Sequence, residues 1–238
     1  MLELQVGVAK VGKYATPESG DTLEMIERPH GGFSFVLADG QGSGRGAKTL
    51  SNLVTTRAIS MLKDGARDGA VARAVHDYLY AYRHGQVSAT LNILSVDLSA
   101  RSVLVSRNNP CPFYVIDEQG MTTYNEPSTP IGLYSMTKPV ITKITLRPYV
   151  YVVVFTDGIL HAGRRYNASI ELENYLGNFN VRQGRTAQEV TDDVLGRAVE
   201  LDQNRPNDDM SVIVMAALPM ESENKVRRMT VCFPVERA

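Results

Sequence analysis

Polar and apolar residues alternate over Leu2–Lys10, which predicts a strand, and a loop follows at Tyr14–Gly20. Two further strands are expected around Thr22–Glu27 and Phe33–Ala38, flanking a turn at Pro29–Gly32 as in a hairpin. The period then changes. Leu50, Leu53, Val54, Ala58, Met61 and Leu62 recur at helical spacing, as do Val71, Ala74, Val75, Tyr78, Leu79 and Tyr82 after a break near Asp64–Gly69. Two consecutive helices are therefore expected between about 43 and 84. Strand patterning returns at Ala89–Asp97, Arg101–Ser106, Phe113–Asp117, Met121–Tyr124 and Val140–Leu146. Tyr149–Phe155 is a continuous valine-rich run, as expected of a strand buried on both faces. Thr186 and Glu189 have capping-box spacing and open a helix to about Leu201, with Ala187, Val190, Val194, Ala198 and Leu201 as its apolar stripe. Met210–Leu218 reads as another strand. Residues 219–238 begin polar and then offer one more possible strand, Met229–Val235. Strands in runs with segregated helices predict an α+β fold with largely antiparallel sheets. No repeat or linker divides the chain, so one domain over 1–218 with a tail at 219–238 is expected.

Composition narrows the class without deciding it. Apolar residues make up 43% and charged residues 21% of 238, ordinary for a globular protein. The formal charge of −1 gives no footprint for nucleic acid or an anionic membrane. The basic cluster Lys225, Arg227 and Arg228 in the tail reads as a solvated face. Cys111 and Cys232 fit no zinc spacing, and reduced, buried thiols are expected. The N-terminus lacks the apolar core of a signal peptide, and the runs Val150–Phe155 and Val212–Leu218 are too short to span a bilayer. A soluble cytoplasmic protein is the expectation.

The chemistry concentrates where aspartates meet strand ends. Ser19-Gly20-Asp21 precedes one strand, and Ala38-Asp39-Gly40 ends another, leading into Gln41-Gly42-Ser43-Gly44. Thr156-Asp157-Gly158 ends the valine run, and Asn207-Asp208-Asp209 precedes the strand Met210–Leu218. Any one Asp-Gly after a strand is usually a plain turn. Several carboxylates at one sheet edge are different, because an ionised carboxylate beside apolar surface is costly unless a positive charge offsets it. No matching set of Lys or Arg stands at these strand ends. Hard divalent cations such as Mg²⁺ or Mn²⁺ suit such oxygen donors. Zinc chemistry is not expected, since His30, His76, His84 and His161 show no ligand spacing; His76 and His84 read as surface or packing residues. A hard-metal site with bound water points to phosphoryl hydrolysis.

A rival reading starts from Gly42-x-Gly44-x-x-Ala47, which satisfies the loose dinucleotide pattern after a strand and before a helix. Two features oppose it. About 35 residues of helical pattern follow the loop where a strand is needed, and Asp39 would repel a phosphate unless a metal intervened.

These four segments resemble the signature of metal-dependent protein phosphatases of the protein phosphatase 2C superfamily, in the bacterial branch typified by stage II sporulation protein E. Within that branch the chain is similar to the small stressosome-resetting type. Ala89-Thr90-Leu91, Asn109 to Tyr114 and Thr129 to Leu133 also fall where the branch has related segments. The resemblance covers about residues 1–218. It implies a four-layer α–β–β–α sandwich of two antiparallel sheets flanked by helices. It also implies two divalent cations, Mn²⁺ or Mg²⁺, with Asp39 bridging them and the Gly40 carbonyl as an added ligand. Asp157 and Asp208 would complete the first metal's shell, and Asp21 would serve the second. Of the adjacent pair Asp208 is the preferred ligand and Asp209 the alternative, with Asp209 otherwise capping the turn. Asp39 and Asp157 are the catalytic residues on this mapping, with Gly42, Ser43 and Gly44 holding the phosphate. The implied reaction is hydrolysis of phosphoserine or phosphothreonine through a metal-bridging hydroxide. The implied substrate is a STAS-type regulator in a bacterial sigma-factor switch. Gln41 replaces a histidine that many relatives use as general acid, which leaves open a pseudo-phosphatase that binds a phosphoprotein without turnover. Lys10, Lys13 and Arg45 are candidate substitutes for the arginine those relatives place near phosphate.

Overall fold

The structure, a computed structural model, describes residues 1–29, 31–220 and 226–234. In chain order it contains β1 (Leu2–Val11), β2 (Asp21–Glu27), β3 (Phe33–Gly40), α1 (Gly44–Lys63) and α2 (Asp68–Arg83). Then come β4 (Ala89–Asp97), β5 (Ser102–Asn108), β6 (Phe113–Asp117), β7 (Gly120–Tyr124), β8 (Val140–Thr145) and β9 (Val150–Phe155). The short helices α3 (Asp157–Leu160) and α4 (Leu172–Gly177) follow, then α5 (Ala187–Leu201) and β10 (Met210–Pro219).

The strands form two five-stranded sheets, one in the order β1-β10-β9-β6-β7 and the other β2-β3-β4-β5-β8. Every ladder is antiparallel. Alternation along each strand gives each sheet two apolar faces. On β3, Val36 and Ala38 face outward onto Leu50, Val54, Ala58 and Val75 of α1 and α2. Leu37 faces inward, with Leu94, Val105, Val152, Val154 and Ile213. On the far side Val153, Val212 and Val214 meet Val190, Val194 and Ala198 of α5. Each of these valines, leucines and isoleucines contributes about 1.5–3 kcal/mol on burial. The result is the four-layer α–β–β–α sandwich. Helix α5 sits close to its sheet because Gly7 has no side chain: a Cβ there would lie 2.5 Å from the Ala187 carbonyl.

Local signals mostly match. The Thr186–Glu189 capping box is formed in both directions, and β9 is buried at all six positions between β10 and β6. Two strands start one residue late, because Arg101 and Tyr149 have left-handed φ of 47° and 61°. Helix α4 was not expected; its six residues are too few to show a helical period. Cys111 is buried, but Cys232 is exposed, contrary to the expectation of buried thiols. His76 is buried and its Nδ1 accepts from the Gly132 N–H, a packing role. The dinucleotide reading fails on topology: β3, which leads into the glycine loop and α1, lies between antiparallel neighbours β2 and β4, whereas that motif needs a parallel βαβ unit. The possible strand Met229–Val235 is not formed over its described part: residues 226–234 carry no regular structure. His30, Lys225 and Val235 lie outside the described residues. Among the described residues no helix is long and apolar enough to cross a membrane.

Candidate active site

The antiparallel registers bring the aspartates to one end of the sandwich. Asp21, first in β2, stands directly opposite Asp39, near the end of β3. In the other sheet Val212 pairs with Phe155, so Thr156 and Ser211 are neighbours, and the Ser211 N–H donates to Thr156 Oγ1 at 2.9 Å. The two sheets are tied together here through a carboxylate. Asp21 Oδ2 accepts from Thr156 Oγ1 at 2.9 Å and from Ser211 Oγ at 2.6 Å. Asp209 makes a second tie: its Oδ1 accepts from the Lys13 N–H at 2.9 Å and its Oδ2 from the Gly20 N–H at 2.7 Å.

Two glycines permit this convergence. A Cβ on Gly40 would lie 2.2 Å from the Ala47 carbonyl oxygen, so α1 could not start where it does. A Cβ on Gly158 would lie 2.1 Å from the Asp209 carbonyl oxygen, so α3 could not approach the start of β10.

The electrostatics are those of crowded carboxylates. Burial pushes Asp39 up to about 8, and Asp21, Asp157, Asp208 and Asp209 each push it in the same direction. Asp21, 1% exposed, is raised to about 6 by burial, against the opposing effect of its two hydroxyl bonds. Burial also raises Asp208. Asp21 Oδ1 is buried without a hydrogen-bond partner. The expectation that no cations stand here needs correcting in part. Lys10 and Lys48 both donate through Nζ to the Asp21 carbonyl, at 2.9 and 3.0 Å. They back Asp21 from behind, so Lys10 is committed to the backbone rather than open to a phosphate. As placed, and among the described residues, no three His, Cys, Asp or Glu side chains already form a group able to hold a metal ion. The carboxylates sense one another across strand ends without sharing one coordination sphere.

The glycine loop faces outward. Gly42 and Gly44 have left-handed φ of 97° and 65°, and Gly42 and Ser43 are exposed. Ser43, the N-cap of α1, makes no side-chain cap, and the first turn of α1 holds no acid. Gln41 is tied to the segment before β4, its Oε1 accepting from the Ser88 N–H at 2.8 Å. Cys111 is pushed up to about 12 by burial and then by Asp157 and Asp39, which makes it a poor nucleophile.

Sequence reasoning missed several residues of this site. Thr156 and Ser211 were not singled out, although both are hydroxyls adjoining the aspartate motifs. Asp209 proves to be a structural tie between distant loops rather than a local cap. His161, with Nδ1 3.7 Å from Asp157 Oδ2, lies one helical turn beyond that aspartate.

The stage II sporulation protein E (SpoIIE) family profile matches residues 29–217. The chain belongs to the SpoIIE family. Its fold is also that of solved phosphatase structures. A structure of the PP2C phosphatase domain and a regulatory-domain fragment of SpoIIE from Bacillus subtilis has a TM-score of 0.79 at 18% identity, covering 91% of this chain. The SpoIIE-family chain spans 64% of that longer chain. The RsbU and RsbW domains of a Mycobacterium tuberculosis protein give 0.72 at 19% identity, over 90% of this chain and 61% of that one. RsbX in complex with magnesium gives 0.68 at 14% identity, over 91% of this chain and all of its own, 100%. At these identities the likeness shows the fold. No curated protein sequence matches the chain. The SpoIIE-family chain thus shares the fold of the SpoIIE PP2C phosphatase domain.

Proposed function

We propose that this chain is a metal-dependent phosphoserine/phosphothreonine protein phosphatase acting on a phosphorylated bacterial regulatory protein. One observation carries the reading: Asp39 is a half-buried carboxylate directly opposite Asp21 across the β2–β3 pair, pushed up to about 8 by burial and by the charges of Asp21, Asp157, Asp208 and Asp209. A site built only for stability would not gather such charges without compensation. The unpartnered Asp21 Oδ1 points the same way. This donor set fits Mg²⁺ or Mn²⁺, which use few carboxylates and keep several waters. Asp39, the Gly40 carbonyl, Asp157 and Asp208 would hold the first cation, and Asp21, with Asp39, a second. When bound, such a pair supplies an activated water and neutralises charge on the phosphoryl oxygens.

The chain's own groups do the rest. The backbone N–H groups of Gly42, Ser43 and Gly44, where the chain enters the 20-residue α1, receive the phosphate, favoured by the helix dipole. Lys10 and Lys48 hold the Asp21 end of β2 in place through its carbonyl. Gln41, fixed by Ser88, carries no titrating proton, so the serine or threonine leaving group takes its proton from solvent. The phosphatase domain spans about 1–218. The SpoIIE-family match supports a STAS-type antagonist of a sigma-factor switch as substrate, in the cytoplasm. The RsbU–RsbW likeness supports a regulatory setting.

Hydrolysis of p-nitrophenyl phosphate and of a phosphoserine peptide, with Mn²⁺, with Mg²⁺ and with chelator, tests this. Metal-dependent turnover abolished by Asp157→Asn is expected. Gln41 and the lack of a ready-made cation group favour one alternative, a phosphoprotein binder. Metal-independent binding of the phosphopeptide with no turnover would establish it.

A further inference from the structure

The core between the two sheets is sealed unevenly. On the inner strands Leu37, Leu94, Val152, Val154, Ile213 and Met215 are at most 2% exposed. Along the side formed by β1 and β2, Leu4, Val6, Val8 and Leu23 pack against the same core yet stay partly exposed. β2 is the outer strand of its sheet. Its pairing with β3 is bracketed by the bonds Gly40 N–H to Gly20 O and Arg28 N–H to Gly32 O, both at even positions on the β2 side. The alternation of an antiparallel ladder therefore turns the N–H and C=O of Leu23, Met25 and Glu27 outward, away from β3. The Asp21 carbonyl, next in that row, is already taken by Lys10 and Lys48. Among the described residues, three residues of open edge remain.

The tail arrives at the far end of this edge. Arg227 Nη1 lies 3.8 Å from Glu27 Oε1. Beyond it Met229, Val231 and Phe233 alternate with Arg228, Thr230 and Cys232. The three apolar residues are 72%, 69% and 80% exposed. Apolar side chains exposed at strand period, on a segment that touches an unpaired edge through Arg227, mark an association site.

We propose that Met229–Phe233 is an edge strand that adds antiparallel to β2 of its own chain and closes the open side of the inter-sheet core. With Arg227 opposite Glu27, the register sets Met229 opposite Met25 and Val231 opposite Leu23. Both positions are the outward-turned ones, so backbone groups meet backbone groups. Paired residues share a face of the sheet, so Met229 and Val231 extend the inner, apolar face of β2. Thr230 falls opposite Glu24, and Arg228 diagonal to Glu24, which matches the charges on the outer face. Phe233 reaches the level of Asp21, just past the last open position. The proposal does not depend on the phosphatase reading.

Disulfide trapping in the full-length chain tests it, in a Cys232→Ser background. Glu24→Cys with Thr230→Cys is expected to give an intramolecular disulfide under mild oxidation. Glu24→Cys with Val231→Cys, one position out of register, is expected to react at least about tenfold more slowly. Amide exchange at Leu23 and Met25 is expected to be at least about tenfold slower in the parent chain than in Val231→Asp. Equal rates for the two cysteine pairs, or exchange unchanged by Val231→Asp, would overturn the proposal. So would a disulfide-linked dimer, which would assign the edge to a second copy.

Discussion

Asp21 and Asp39 stand directly opposite each other across the β2–β3 pair, yet only Asp21 is fixed to the other sheet, by Thr156 and Ser211. Among the described residues Asp39 receives no such bonds, and it takes the repulsion of four aspartates. Asp39→Asn should therefore remove a destabilising charge while removing the central donor of the site. In chelator the variant should be more stable than the parent by on the order of 1–3 kcal/mol. Its phosphatase turnover should fall on the order of a hundredfold or more. Denaturant melts and phosphopeptide hydrolysis on the same preparations check both.

The pH dependence of stability follows from the same crowding. Asp39 and Asp21 are raised from 3.8 to about 8 and about 6. Folded values above the unfolded value mean that the native state holds more protons across this range. The associated stability is fully present below about pH 4 and is lost as pH rises through 6 and 8. In chelator, Tm should fall between about pH 5 and pH 8.5, and millimolar Mg²⁺ should remove most of that fall. A thermal scan with the same slope in both buffers would count against it.

The neighbours Asp208 and Asp209 should separate cleanly. Asp209 ties the Lys13 and Gly20 N–H groups, so Asp209→Ala leaves two backbone donors unpaired and should cost about 1–3 kcal/mol. Asp208 is half-buried and, among the described residues, accepts only from the Asp209 N–H at 3.0 Å. Asp208→Asn should leave Tm in chelator within about 1–2 °C of the parent while weakening Mn²⁺ binding. Paired melting curves and metal titrations distinguish the two.

Gly40→Ala should be destructive for a purely steric reason. Its Cβ would sit 2.2 Å from the Ala47 carbonyl, forcing α1 away from the strand end and shifting the Gly42–Gly44 amides. A loss of roughly 2 kcal/mol or more, together with a raised KM for phosphopeptide, is expected. By contrast Gly46→Ala, where nothing lies within 4 Å, should be neutral or slightly stabilising.

Much of this was legible in the chain. Period and capping located α1, α2, α5 and β9, because each is long or carries a local signal such as Thr186 with Glu189. The four aspartate segments were also visible, each where an apolar run starts or ends. What stayed hidden depends on register between distant strands. Thr156 and Ser211 become partners of Asp21 only because Val212 lies opposite Phe155. Lys10 and Lys48 meet at the Asp21 carbonyl only once β1 and α1 are placed. The glycine loop shows the converse: its local pattern fits a nucleotide motif, and only the antiparallel neighbours of β3 rule that out.

The central claim is that aspartates from both sheets jointly hold divalent cations, and Mn²⁺ titration followed by electron paramagnetic resonance tests it most directly. Saturable binding by the parent chain, weakened at least about tenfold in both Asp39→Asn and Asp157→Asn, is the expected result. Equal Mn²⁺ affinity in the parent and both variants would contradict the account.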